Sequence, residues 1–457
     1  MSLDVVIYIE LHHPLRLRLP AQLVPDGATL EDFRRCLFDE KIDRKPKASV
    51  SETNRLTLHS HQAVHEAEGC EERSNLARSQ FYPHLFKTFS DLMERGYKLS
   101  IGVSGGFLRY ILQLASAPVP SVHPDYIEVH QQLPLMLPRW DEFVSKLQLE
   151  QMPWGFGGLI THPQVEIICI EPYSSLSFYL DIDMFIQQTA FFKRWWEERL
   201  GKKLSAAATT ELCMSNEIYK SFANLQFNAV VMEGAEWVLQ GREPSYLCKI
   251  NGHPLLCLRH KPLSTSTMEI LSDPLQENIT PRMKAVAQQI KEAPGDFVLL
   301  GWDINSLRGY DNQSEVVESS LSQLCEKLDS LGVTFLTVSE VATKFSSNAR
   351  RLTLPAFTST RVDGGMGYLL NSNTQQWIFE LIHHAYNMAK LSKNEDLIDI
   401  ALWLAQIDNL KLADSFSSGL KPDWYSPTWA QHLNPDELLQ ELGRVYANFI
   451  KAARYYI

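Results

Sequence analysis

Five acidic residues stand where short apolar runs of this chain give out. Glu10 lies near the end of "VVIYIEL" (5–11), with His12 and His13 close behind. Glu171 ends "VEIICIE" (165–171), Glu211 follows "AAATT", Glu233 ends "NAVVME" (228–233) and Asp303 ends "FVLLGWD" (297–303). Two carboxylates facing each other across a cleft can cleave a glycosidic bond, one as nucleophile and the other as acid and then base. A lone carboxylate at such a place is more often a loop cap or an ion-pair partner. The set of five points to a glycosidase-like site without saying which two residues form the pair.

The elements that must carry these residues follow from periodicity. The runs at 5–11, 98–104, 165–171, 228–233 and 297–303 read as strands buried on both faces. Between them, 79–96, 184–201, 215–226 and 314–332 show amphipathic helical spacing, and several stop at Gly. Strands alternating with helices predict an α/β fold with a parallel sheet, open or closed, and in such folds active sites gather at the carboxyl ends of the strands. Beyond about residue 345 the strands stop, and 373–392, 395–414 and 434–456 read as long helices. We therefore expect a catalytic domain over 1–345 and a helical domain over 346–457, with a polar, exposed insertion near 38–75 that contains His59 and His61.

Composition narrows the class. Among 457 residues, 43 Lys and Arg against 54 Asp and Glu leave a formal charge of -11, a surface that repels phosphate backbones and anionic lipid. Nucleic acid and membrane are poor partners for it. The seven cysteines (36, 70, 169, 213, 248, 257 and 325) form no CxxC pair, which suggests reduced thiols in a cytoplasmic protein. The start, "MSLDVVIYIE", reads as no signal peptide, and no apolar run approaches the roughly 20 residues that span a bilayer.

Several stretches then resemble glycoside hydrolase family 57, in its α-amylase-like branch. "YIELHHPLRLRL" (8–19) is similar to the family's opening, in which His-Gln-Pro follows the first strand; His12, His13 and Pro14 hold those places. "FYPHLFKTFSDLMERGYKLSIGVSGGFLR" (81–109), "VEIICIEPYSSLS" (165–177), "TTELCMSNEIYKSFANLQFNAVVMEGAEWVL" (209–239), "FVLLGWDINSLRGYD" (297–311), "LLNSNTQQWIFELIHHAY" (369–386) and "LWLAQIDNL" (402–410) continue the likeness in order. The resemblance implies an irregular parallel (β/α)7-type barrel followed by a C-terminal helical bundle. It implies Glu211 as nucleophile and Asp303 as acid/base of a retaining enzyme acting on α-glucan or maltooligosaccharide, with no metal and no organic cofactor. His12, His13, Trp302 and Asp408 are the substrate-binding residues expected with it. Asp303 would have to be protonated at rest, with Trp302 and the apolar strand raising its pKa. Tyr173 and Trp237 are our choices for sugar contact, since both lie just past expected strand ends.

The chain also departs from the family around this pair. Ser174 stands where His is usual, Ala208 and Thr209 replace Arg-Asn, Asn305, Leu307 and Arg308 follow Asp303, Thr358 and Thr360 replace Trp and Asp, and Asn409 replaces His. Such losses leave a second reading, a catalytically weak or inactive homologue that binds α-glucan. A third, a metal-dependent carbohydrate deacetylase, would use His12, His13 and nearby acids but needs an Asp-Asp pair after the first strand. Other features have plainer readings. Of Trp195 and Trp196, one is expected in the core and one partly exposed; His383-His384 is expected to be structural; "GVSGGFLR" is expected to make a tight turn with its serine near the mouth.

Overall fold

The computed structural model describes residues 3–38, 81–116, 139–273, 279–304, 306, 314–354, 358–361, 365–418 and 434–457. The expected insertion near 38–75, with His59 and His61, lies almost wholly outside them, as does Cys70.

Seven parallel strands form a closed barrel: β1 (Asp4–Leu11), β2 (Leu99–Val103), β3 (Val165–Ile168), β4 (Ala206–Ala208), β5 (Ala229–Glu233), β6 (Leu255–Arg259) and β7 (Phe297–Asp303). Each pairs with the next, and β7 returns to β1 in a long register from Asp4↔Phe297 to Glu10↔Asp303. Two seams are thin. β3 meets β4 through one bridge, Cys169↔Ala207, and β6 meets β7 at Arg259↔Leu299. This is the irregular (β/α)7 barrel expected from the sequence resemblance. Periodicity supplied five of the strands and the AAA run; β6 was not among them.

Alternation along the strands separates two apolar clusters. Val6, Tyr8, Ala206, Ala208, Ala229, Val231, Leu255, Cys257, Phe297 and Leu299 fill the barrel. Their neighbours Val5, Ile7, Ile9, Ala207, Val230, Leu256, Val298 and Leu300 face the surrounding helices. The inward series continues to Glu10, Glu233, Arg259 and Asp303, so the top layer of the barrel is charged where the layers below are apolar. Gly301 belongs to this series for want of space, because a Cβ there would stand 3.1 Å from the Arg259 side chain.

The helices follow from their caps. Ile182–Leu200 begins at Asp181, whose carboxylate accepts from the Asp183 and Met184 amides, and ends at Gly201 with φ 63°. Trp195 and Trp196 are both buried, a correction to the expected split: Trp195 also donates its indole N–H to the Val144 carbonyl at 2.9 Å.

At the other end of the chain, Glu395–Leu404, Ile407–Ser418 and Pro435–Ala453 pack around Asn373–Ser392. His383 and His384 are exposed on this last helix. The single helix expected over 395–414 is two. The chain breaks at Ala405–Gln406 because the barrel loop takes its backbone groups: the Leu176 amide donates to Ala405 O and the Ile407 amide to Ser174 O. The Gln406 side chain is buried and bonds both the amide and the carbonyl of Leu15. The break starts a new helix at Ile407, with Asp408 in its first turn, against the barrel mouth. Among the described residues no helix is long and apolar enough to cross a membrane, and six cysteines are buried and free of disulfides.

Candidate active site

Glu211 leaves β4 in a tight turn, Thr210–Leu212, in which Glu211 and Leu212 have φ of 56° and 52°. Such a left-handed conformation costs a non-glycine residue about 1–2 kcal/mol, so its surroundings must enforce it. Thr209 donates its hydroxyl to the Cys213 carbonyl at 2.5 Å, Met214 bridges Ser359, and the Arg361 amide donates to the Glu211 carbonyl at 2.8 Å. These bonds lay the segment 358–361 against the turn and bring the Arg361 side chain over the mouth.

There Arg361 meets three carboxylates. Its Nη1 lies 2.5 Å from Asp303 Oδ2, its Nη2 2.8 Å from Glu10 Oε2 and its Nε 3.7 Å from Glu211 Oε2. Lys411, one helical turn after Asp408, pairs with Glu211. Asp303 also accepts from the Ser306 amide at 2.9 Å and the Ser306 hydroxyl at 2.5 Å, so it caps its own loop as well as facing Glu211 across the guanidinium.

The electrostatics follow from this arrangement. Burial would raise the Glu211 carboxyl, but Lys411 and Arg361 outweigh it and hold the group well below the usual carboxylate range. Asp303 is likewise lowered: burial works against it, while Arg361 and the Ser306 hydroxyl stabilise the anion. The expectation of a protonated Asp303 is thus corrected, because a cation in contact outweighs the apolar strand beneath. Glu10 rises to about 7, since burial and the neighbouring Glu211 and Asp303 exceed what Arg361 returns.

Through Asp408, which lies 3.9 Å from Lys411, the site extends to His12. Its Nε2 donates to Asp408 Oδ2 at 2.8 Å, and its Nδ1 lies 2.9 Å from Ser104 Oγ and 3.0 Å from Ser174 Oγ. Burial would lower this imidazole, but Asp408 raises it, and Asp408 is itself lowered by His12 and Lys411 against the effect of burial. Ser174, with φ 52°, is therefore part of the His12 support. Ser104 also takes the Phe107 amide at 3.1 Å and starts the helix Gly105–Ser116, which was not expected; the serine of "GVSGGFLR" is expected near the mouth and lies against His12 there. Gly106 lets this helix pass His13, whose carbonyl oxygen would lie 2.2 Å from a Cβ.

Three of the expected sugar contacts are placed elsewhere. Trp302 faces the helical layer and donates its indole N–H to Ser264 O at 2.8 Å; as the neighbour of inward-facing Asp303 it must point outward. Tyr173 is buried beside Trp403 with its hydroxyl on Asp399 at 2.8 Å, a core position. His13 is buried in a stack on Tyr110, ring centroids 3.5 Å apart. Trp237 is half-buried beside Gly365, and its indole N–H has no acceptor among the described residues. Glu171 and Glu233 are occupied locally: Glu171 by the amide and hydroxyl of Ser175 at 3.0 and 2.8 Å, Glu233 by Arg259 at 2.9 Å. Among the described residues no group of three or more His, Cys, Asp and Glu is arranged to hold a metal ion. Sequence reasoning missed Arg361 and Lys411; the one signal for Lys411 was its spacing of one helical turn from Asp408.

The sequence profile described as glycosyl hydrolase family 57 matches residues 6–355. A putative alpha-amylase from Methanocaldococcus jannaschii is 32% identical over 110 residues, which is 24% of this chain and 24% of that protein. The match thus spans about a quarter of that relative's length. Among solved structures, a branching enzyme of the same family type from Pyrococcus horikoshii is similar with a TM-score of 0.56 at 13% identity, covering 100% of this chain and 97% of its own. A 4-alpha-glucanotransferase from Thermococcus litoralis is similar with a TM-score of 0.55 at 13% identity, covering 100% of this chain and 60% of its own. At these identities the structural likenesses speak for the fold. The profile covers more than half of the sequence, from the first barrel strand to beyond the last, and on that ground the chain belongs to glycosyl hydrolase family 57.

Proposed function

We propose that the protein is a retaining α-glucan-active glycoside hydrolase or 4-α-glucanotransferase, with Glu211 as nucleophile and Asp303 as acid/base. The observation that carries this reading is that one guanidinium touches Asp303 and lies 3.7 Å from Glu211, so the two carboxylates line one small volume at the barrel mouth. Asp303 would give its proton to the glycosidic oxygen while Glu211 closes on the anomeric carbon. Water or an acceptor hydroxyl would then give its proton to Asp303 and release the sugar with retained configuration. His12, fixed by Asp408, is the expected polar sugar contact, and Trp237 the expected aromatic one.

The test is incubation with maltooligosaccharides and amylose, following products by chromatography and their anomeric form by NMR. Products of retained configuration from the wild type, and none from Glu211→Gln, are the expected result. Inverted products would remove the mechanism. A second reading, a glucan-binding homologue with little turnover, is favoured by the contact of Arg361 with Asp303. Binding of maltooligosaccharides in calorimetry without any product would select it.

A further inference from the structure

The charged layer at the mouth holds a group that glycoside cleavage does not ask for. Arg361 is only 17% exposed and presents its three nitrogens to carboxylates from three different parts of the barrel. In a retaining mechanism the scissile bond lies between nucleophile and acid/base, whose carboxyl groups are about 5–5.5 Å apart. The guanidinium stands between Glu211 and Asp303, where that bond would have to lie. Sugar and guanidinium therefore compete for one space. That competition follows from the roles proposed for Glu211 and Asp303.

We propose that Arg361 is a positioning residue for Asp303: it fills the place of the scissile bond, keeps Asp303 a carboxylate, and must swing away before a sugar enters. Glu10 is the residue that then shares a proton with Asp303. The two are register partners on β1 and β7, both on the inner face of the barrel. With the cation between them each can be ionised. Without it, two adjacent buried carboxylates hold a proton in common, and Asp303 can act as an acid. When Asp303 has given that proton to the leaving oxygen, the C–O electron pair departs with the oxygen. Asp303 is again a carboxylate, the form that takes a proton from water or an acceptor in the second step.

The groups around Asp303 set the signs of the test. Glu10 faces it from β1, Glu211 from the turn after β4, Arg361 from the segment 358–361, and Arg259 with Glu233 from β6 and β5; Lys411, Asp408 and His12 stand behind Glu211. Removing Arg361 leaves Glu10 and Glu211 repelling Asp303, so Asp303 titrates higher. Removing the charge of Glu10 alone gives Arg361 one acid fewer to serve, so Asp303 titrates lower.

The experiment is carbon-detected NMR titration of labelled aspartate in the full chain, with the Asp303 signal assigned by its loss in Asp303→Asn. We expect the Asp303 midpoint to rise by about one pH unit in Arg361→Met, and the protonated fraction at a given pH above it roughly tenfold. It should fall in Glu10→Gln and return to the wild-type value in Arg361→Lys. The double variant Arg361→Met/Glu10→Gln removes an acid along with the cation, so it tests the idea where the single variant does not fold; its midpoint should lie above wild type. Turnover of maltooligosaccharide relative to maltosyl fluoride, whose leaving group needs little acid help, should rise about tenfold with Arg361→Met. An unchanged midpoint when Arg361 is removed, or a shift of the same sign in Glu10→Gln, overturns the proposal. The titration needs no turnover: a protein that leaves maltosyl fluoride uncleaved contradicts the hydrolase reading, while the midpoints still decide the role of Arg361.

Discussion

Glu171 and Glu211 follow neighbouring strands of one barrel, and both are buried, yet they lie on opposite sides of the ordinary carboxylate range. Glu171 is met by neutral donors, the amide and hydroxyl of Ser175, which do not offset the loss of water, and burial carries it up to about 7. Glu211 is met by Lys411 and Arg361, which overcome the same penalty and push it down. A place at a strand end therefore does not decide whether a carboxyl gives or takes a proton. Between these two the difference is set by their partners, neutral donors in one case and two cations in the other.

Substitutions on the two sides should behave accordingly. The largest effect is expected at Glu211→Gln, with turnover of both maltooligosaccharide and maltosyl fluoride lower by about 10⁴-fold or more, because no glycosyl-enzyme can form. Persistent fluoride turnover in that variant would move the nucleophile to another acid. Asp303→Asn should cost about 10²–10⁴-fold on glucan and spare the first step with the fluoride, read as the ratio of the two rates. Arg259→Met, which strands Glu233 without its cation, should lower stability in urea unfolding by about 3–5 kcal/mol.

On the neutral side the signature is a pH slope. Because Glu171 rises from 4.5 to about 7, the native state holds a proton that the unfolded chain has lost; stability falls as pH rises through that window, by about 3 kcal/mol in all. Glu171→Gln should remove that contribution, measured by unfolding at a series of pH values. Glu211, Asp303 and Asp408 have the opposite sign: their contribution is present above the ordinary carboxylate pKa and is lost as pH falls through their lowered values. The smallest change is expected from Ser175→Ala, a loss of about 1 kcal/mol with the upper end of the Glu171 slope moved above 7.

The barrel and the strand-end acids were legible because both are local signals, an apolar run and the residue that ends it. β6 escaped because "PLLCLR" is short and sits directly behind a turn. Trp302 was misassigned although the strand period alone turns it away from Asp303. Tyr173 was misassigned because its place depends on Trp403 and Asp399, more than 200 residues later. Arg361 left no readable trace for the same reason, and Lys411 only its spacing from Asp408. Arg361 lies in an irregular segment 58 residues beyond Asp303, and Lys411 reaches Glu211 across 200. Ion pairs at such separations belong to the closed fold and to no single stretch of chain.

The order of these residues along the chain has a consequence for synthesis. Glu10, Glu211 and Asp303 all leave the ribosome before Arg361, and Lys411 follows later still. At about 5–20 residues per second, the 58 residues from Asp303 to Arg361 take roughly 3–12 s, long enough for the barrel strands to meet. During that interval the nascent mouth carries its acids without either cation. The segments made last thus complete the charge balance of the barrel made first, and a barrel ending near residue 345 would lack Arg361 and Lys411, the partners of Glu10, Asp303 and Glu211 at its rim.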